Sequence, residues 1–191
     1  MKRRAFDIIA STVGLGLAAL LIVAAGLLTW AHNFIGDQVH DQLVAQKVFF
    51  PPKSDPELKA PEFAAVRQYA GQQLSTGDQA EVYADHFIAN HLKAIGGGQT
   101  YAQLSAKALA NPDDQKLQAQ VNTMFKGETL RGLLLNAYAF GTMAVIAGVA
   151  AVVAFIGAAV MLVLGVLGLW HAHRVPATVE VLGMPEAERI H

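Results

Sequence analysis

The residues best equipped for chemistry lie together at positions 81–93, EVYADHFIANHLK. On an α-helix Glu81 and Asp85 share one face at i, i+4, and His86 and Asn90 share another. A helical metal site needs ligands three or four residues apart, as in His-Glu-x-x-His. His86 and His91 are five apart, so the spacing describes a solvated helix face carrying a carboxylate pair, not a metal or catalytic centre. His32 and His40, eight residues apart, fit interfacial or partner-facing positions better than a pH sensor. Gly96-Gly97-Gly98 has neither a preceding strand nor a following Gly-Lys-Ser/Thr, so it reads as a helix stop and not as a phosphate loop.

No Gly-x-Ser-x-Gly elbow and no nucleophile–base pair is present. The chain contains no cysteine, which removes disulfides, thiolate nucleophiles, zinc–thiolate and iron–sulfur sites, and a lipoprotein anchor. The net charge of −1 provides no basic field for nucleic acid. These absences predict a protein that is not an enzyme and holds no cofactor or metal.

The elements that would carry such residues are organised around one stretch, Leu133 to Trp170, which contains no Asp, Glu, Lys, Arg or His. A membrane helix needs about 20 apolar residues, and this stretch would measure about 57 Å as one helix. It has no Pro and no Asn-Gly, so one long helix is expected rather than a hairpin. A second apolar run, Ile8 to Trp30, follows Lys2-Arg3-Arg4. It exceeds the roughly 7–15 residues of a signal-peptide core and ends at an interfacial Trp, as an uncleaved anchor would. Neither run contains a charge and only Asp7 stands near the entrance of the first, so transport by this chain alone is not expected.

Small residues mark one face of each run. Ala144, Ala147, Ala151, Ala154, Ala158, Met161, Gly165 and Gly168 form a stripe on the second, and Ser11, Gly14, Ala18 and Ala25 form one on the first. Such faces let membrane helices approach closely. Val145, Val149, Val152, Phe155, Ile156 and Leu162 occupy the opposite face of the second run and suit lipid.

Between the runs the pattern is helical. Ile35, Val39 and Leu43 extend the first helix outward as an amphipathic stretch, which Pro51-Pro52 stops. Ser54…Glu57, Thr76…Gln79 and Thr100…Gln103 have capping-box spacing, and Asn111-Pro112-Asp113-Asp114 reads as a capped start. Helices are expected at about 56–74, 77–95, 101–110 and 112–126, with Gly127 loosening the join to the long run. Phe63, Val66, Val82, Ile88, Leu92, Ile95, Leu104, Leu109, Leu117, Val121 and Phe125 are their expected core residues. No strand pattern appears.

Three segments, YAGQQLSTGDQAEVYADHFIANHLK (69–93), TYAQLSAKALANP (100–112) and GETLRGLLLNAYAF (127–140), with the Phe50-Pro51-Pro52-Lys53 connector, resemble an uncharacterised family of actinobacterial two-pass integral membrane proteins. The likeness covers about half the chain. It implies two spans in a plasma membrane and carries no activity.

The fold expected is an all-α membrane protein: two long transmembrane helices flanking a helical extracytoplasmic insertion. Residues 1–35 are the cytoplasmic N-terminus and first span, 36–132 the extracytoplasmic domain, 133–170 the second span, and 171–191 a flexible cytoplasmic tail. Lys2, Arg3, Arg4 and Arg174 orient both termini inward. The expected role is a non-enzymatic interaction protein, a scaffold or accessory subunit of a larger envelope complex. Its partners would be the bilayer and other membrane proteins or itself, not nucleic acid. The alternatives are an extracytoplasmic ligand sensor with a pocket in the helical domain, and an enzyme using Glu81, Asp85 and His86.

Overall fold

Uninterrupted apolar or amphipathic sequence without proline forms two very long helices in the computed structural model, which describes residues 2–176. Helix α1 spans Arg3–Ala45 and α6 spans Gln115–Arg174. Between them lie two 3₁₀ turns, Pro56–Lys59 and Pro61–Phe63, and the short α2, Ala64–Arg67. Helix α3 (Gly77–Val82) continues through a π-helical turn, Tyr83–Ile88, into α4 (Ala89–Ile95). Helix α5 is Tyr101–Ala110. The fold is all-α with two long apolar helices, and Phe49 forms an isolated bridge with Gln73. The expected tail lies mostly outside the described residues, although α6 runs past Trp170 to Arg174.

The chain divides into two units. The first takes the described residues 2–31 and 146–176, the second 32–145. The division falls after Ala31 and after Val145, so the start of the uncharged run, 133–145, belongs to the middle unit.

In the first unit α1 and α6 run antiparallel. Ser11, Ala18 and Ala25 are buried at seven-residue intervals, as are Ala151, Ala158, Gly165 and Ala172. A seven-residue repeat keeps one seam in register along a left-handed pair. The seam is tight because its residues are small. A Cβ on Gly165 would lie 2.8 Å from Leu15, one on Gly157 3.4 Å from Leu21, and one on Gly168 would collide with the Ser11 hydroxyl. Gly14, Ala154, Met161 and Gly168 flank the seam half-buried. At its end Asp7 Oδ2 lies 3.0 Å from His171 Nδ1, and the Arg174 guanidinium sits 3.9 Å over the Trp170 ring.

The second unit has a conventional core: Leu43, Phe50, Leu58, Phe63, Val66, Leu74, Val82, Leu92, Leu104, Met124 and Leu134 are buried together. Three expectations fail here. The helix expected at 56–74 is broken. Pro61 leaves Ala60 extended (ψ 143), as a residue before proline must be, and Gly71 adopts φ +78. Residues 71–74 then run extended beside the connector: Gly71 N donates to Pro51 O, Phe50 N to Gln72 O and Leu74 N to Val48 O, each at 2.9 Å. The connector's backbone groups need partners, and this pairing supplies them.

Second, the start expected at Asn111-Pro112 comes three residues later. Asp114 Oδ1 accepts from Leu117 N at 2.9 Å, while Asn111 closes α5. Likewise Asp55, not Ser54, caps the turn at Pro56. Third, Gly127 does not loosen the join, because α6 passes straight through it. A Cβ there would collide with the Leu92 side chain, so the glycine lets α4 seat against α6. The resulting register buries Met124 and leaves Phe125 53% exposed, stacked on Tyr101 at 5.7 Å. Leu109 at 82% and Ile95 at 39% are also outside the core.

The capping boxes at Thr76/Gln79 and Thr100/Gln103 form as expected. Gln79 is buried and fully partnered: Oε1 accepts from Ser75 N at 2.8 Å, and Nε2 donates to Gln72 Oε1 at 3.1 Å.

Candidate functional site

The π-helical turn at Tyr83–Ile88 changes the geometry on which the Glu81–His91 reading depends, because a π-turn adds a residue to the helical repeat. The candidate groups separate. Asp85 points to α6, where its Oδ1 accepts from Arg131 Nη2 at 2.8 Å and Nε at 3.0 Å. Glu128 accepts from the other arm of Arg131 at 3.3 Å. The hydrogen bond to Asp85 is the main reason the Arg131 pKa is raised; the attraction of both carboxylates adds to it, against partial desolvation. His91 faces the opposite side. Its Nδ1 lies 2.7 Å from Phe87 O and its Nε2 2.9 Å from Glu57. Nδ1–H donates to that carbonyl, so Nε2 meets the carboxylate as a donor only in the imidazolium form.

Asn90 Nδ2 donates to His86 O at 2.7 Å and to Glu62 O at 3.2 Å. Glu81 and the His86 ring join no ion pair among the described residues. Nor do any three His, Asp or Glu side chains there come close enough to hold a metal ion. These residues therefore clamp the π-turn and α4 to the Glu57–Glu62 segment and to α6. Beneath them runs an aromatic ladder: Phe50 on Tyr83 at 5.2 Å, Tyr83 on Phe87 at 4.8 Å, and Phe87 on His91 at 4.5 Å. Burial in this ladder raises the Tyr83 pKa.

The other sequence candidates also make structural contacts. His32 Nδ1 lies 2.7 Å from Ala144 O, and His40 Nδ1 3.2 Å from Ser75 O. Gly97 and Gly98 have φ +57 and +79, and Gly98 N donates to Lys93 O at 2.9 Å, which closes α4. The small-residue series reaches this unit at Ala144, which is buried; Ala147 is half-buried in the first unit. Gly77, at the start of α3, rests on Gly141 of α6 with backbone nearly touching backbone.

The feature that sequence reasoning missed is a cleft in the second unit. Its volume is about 450 Å³, and its walls are the outer part of α1 with Gln46 just past its end (residues 34–46) and the 130–140 segment of α6. Leu43 and Leu134 form its buried floor, and Phe34, Leu133 and Phe140 stand exposed along it. Gln38, Gln42, Gln46 and Asn136 supply its polar groups, and no charged side chain lines it. The i, i+4 run Gln38-Gln42-Gln46 beside Ile35-Val39-Leu43 was the available signal; it passes in sequence for an ordinary solvated face. A shallower hollow of about 350 Å³ lies beside His91, Leu92 and Gly127. Comparison with known proteins adds no identity: no protein-family model, no curated protein and no solved structure matches this chain.

Proposed function

We propose that this protein is a non-enzymatic integral membrane protein of a bacterial plasma membrane. It serves as a scaffold or accessory subunit, with both termini cytoplasmic and the middle unit outside. One observation carries the membrane part of this reading. Away from the small-residue seam, α1 and α6 expose large apolar side chains, among them Leu20, Val23 and Leu27 at 62–68% and Val149, Val153 and Ile156 at 60–63%. Apolar surface on that scale calls for lipid or protein cover. Lys2, Arg3, Arg4 and Arg174 support the orientation. Membership of an actinobacterial two-pass family, which we propose with it, would imply the same arrangement.

The accessory role draws on exposed apolar side chains of the middle unit such as Leu109 and Phe125. The α1–α6 seam is occupied within the chain, so a partner would use other faces. The uncharged cleft favours a second reading, in which the middle unit holds a ligand.

Cysteine labelling tests the topology. In whole cells an impermeant reagent should modify Ser75→Cys and leave Ala177→Cys untouched. Modification of Ala177→Cys contradicts the N-in, C-in arrangement. Native purification with identification of co-purifying chains tests the accessory role: a chain that purifies alone from every mild extraction argues against it.

A further inference from the structure

We infer that the end of the first unit carrying Lys2, Arg3, Arg4 and Arg174 is a headgroup site: it takes the phosphate of an anionic bilayer lipid. The inference rests on the membrane reading of α1 and α6 and adds a ligand class to it.

The fold assembles the charge. Lys2, Arg3 and Arg4 open the described chain and Arg174 stands almost at its close, yet the antiparallel pairing of α1 and α6 brings them to one end of the unit. The Asp7–His171 contact at 3.0 Å marks that convergence. The four cations and Asp7 are the only Lys, Arg, Asp or Glu residues in the described part of this unit, 2–31 and 146–176.

The cations are available. The one carboxylate is turned to His171, and its side chain is 17% exposed. Lys2, Arg3, Arg4 and Arg174 are exposed and form no ion pair among the described residues. The Arg174 guanidinium lies 3.9 Å over the Trp170 ring, which holds it beside the last residue of the apolar run. Three of the four cations are arginine, whose planar fork of N–H donors matches phosphate oxygens.

The adjoining surface favours a lipid over a soluble anion. On α1 Phe6, Ile9 and Val13 are 46–58% exposed, and on α6 Val166, Leu167 and Trp170 are 53–59% exposed. All six lie within about three helical turns of the cations. Charge and apolar surface belong to the same two helices of one unit. A phospholipid presents phosphate and hydrocarbon in the same order. Basic residues at the end of a membrane helix meet the headgroup layer, where anionic lipid is concentrated. A soluble anion would meet the cations and leave the apolar surface uncovered.

The test uses the full chain in nanodiscs made of equal parts phosphatidylglycerol and phosphatidylcholine with the same acyl chains. Lipids retained on release are counted by native mass spectrometry. The expected result is phosphatidylglycerol enriched about tenfold over phosphatidylcholine, the yield of one or two basic contacts at a membrane surface. Arg174→Gln, and separately Arg3→Gln with Arg4→Gln, should each lower the enrichment to about twofold, because the site draws on both helices. Lys107→Gln, on α5, should leave it unchanged. Excess glycerol phosphate at constant ionic strength should not displace the retained lipid. Equal retention of the two lipids overturns the inference, as does enrichment that survives both sets of arginine changes or is lost equally with Lys107→Gln. Displacement by glycerol phosphate assigns the cluster to a soluble anion and overturns it too. Failure of the wild-type chain to enter discs at all overturns the membrane reading beneath it, which is a separate result.

Discussion

Four glycines of the second unit provide a measurement of how closely α3 and α4 sit on α6. Gly132, Gly127 and Gly141 all lie within α6, and replacement by alanine should bring each the same helix-propensity gain, about 0.8–1 kcal/mol. They differ in what the new Cβ meets. At Gly132 there is nothing within 4 Å, so Gly132→Ala should stabilise by about that amount. At Gly141 the Cβ would lie 3.1 Å from Gly77 Cα and 3.5 Å from Gly77 N. That neighbour is backbone and cannot rotate away, so an overpacking cost of about 1–3 kcal/mol opposes the gain. Because propensity cancels between the two variants, their difference isolates the overpacking: Gly132→Ala should exceed Gly141→Ala by about 1–3 kcal/mol. Gly127→Ala should fall between them, since the obstructing group is the Leu92 side chain, which is buried but can change rotamer. Gly77→Ala meets three backbone atoms at 3.2–3.3 Å and should be at least as damaging as Gly141→Ala. The assay is urea unfolding of the full chain in detergent, followed by far-ultraviolet circular dichroism. If Gly141→Ala is as stable as Gly132→Ala, α3 does not rest on α6 and the packing argument is wrong.

Three further perturbations address other parts of the molecule. In the seam, Ala151→Leu should weaken α1–α6 packing by about 1–3 kcal/mol, whereas Val152→Leu, at a 58% exposed position, should change little; a Cβ on Gly168 lies 3.4 Å from Ser11 Cβ, so Ser11→Cys with Gly168→Cys should form a disulfide within one chain, and dimers alone after oxidation would refute the antiparallel seam. Burial raises the Tyr83 pKa above its unfolded value near 10, so the folded state resists ionisation: the Tyr83 contribution to stability should be constant below about pH 10 and fall as pH rises above it, and Tyr83→Phe should lessen that alkaline loss in equilibrium unfolding, an unchanged loss placing its origin elsewhere. Dialysis against a chelator should leave the melting temperature unchanged; a drop restored by zinc would return His86 and His91 to consideration as ligands.

The sequence by itself determined what depends on neighbours a few residues away. The Thr76 and Thr100 capping boxes were legible because the hydroxyl, the Gln side chain and the amides they join lie within one turn. The two apolar helices were legible because long unbroken runs contain no proline to interrupt the i to i−4 ladder. The series of small side chains was also visible, while the sequence left open whether the Ser11, Gly14, Ala18 and Ala25 face or another protein's helix covers it.

Contacts between distant segments decided the rest. Residues 68–74 leave the helix because the connector at 48–51 needs hydrogen-bond partners, and that requirement lies about twenty positions away in the chain. Gly127 looks like a break until Leu92 occupies the space its missing Cβ leaves. The π-turn sends Asp85 toward Arg131 and His91 toward Glu57, dispersing a cluster that ideal α-helical spacing would have kept on adjacent faces. The cleft exists only where the outer turns of α1 run beside the first turns of the uncharged segment. Local sequence encodes torsions and periodicity, whereas a cavity depends on which faces meet, and long-range packing sets that.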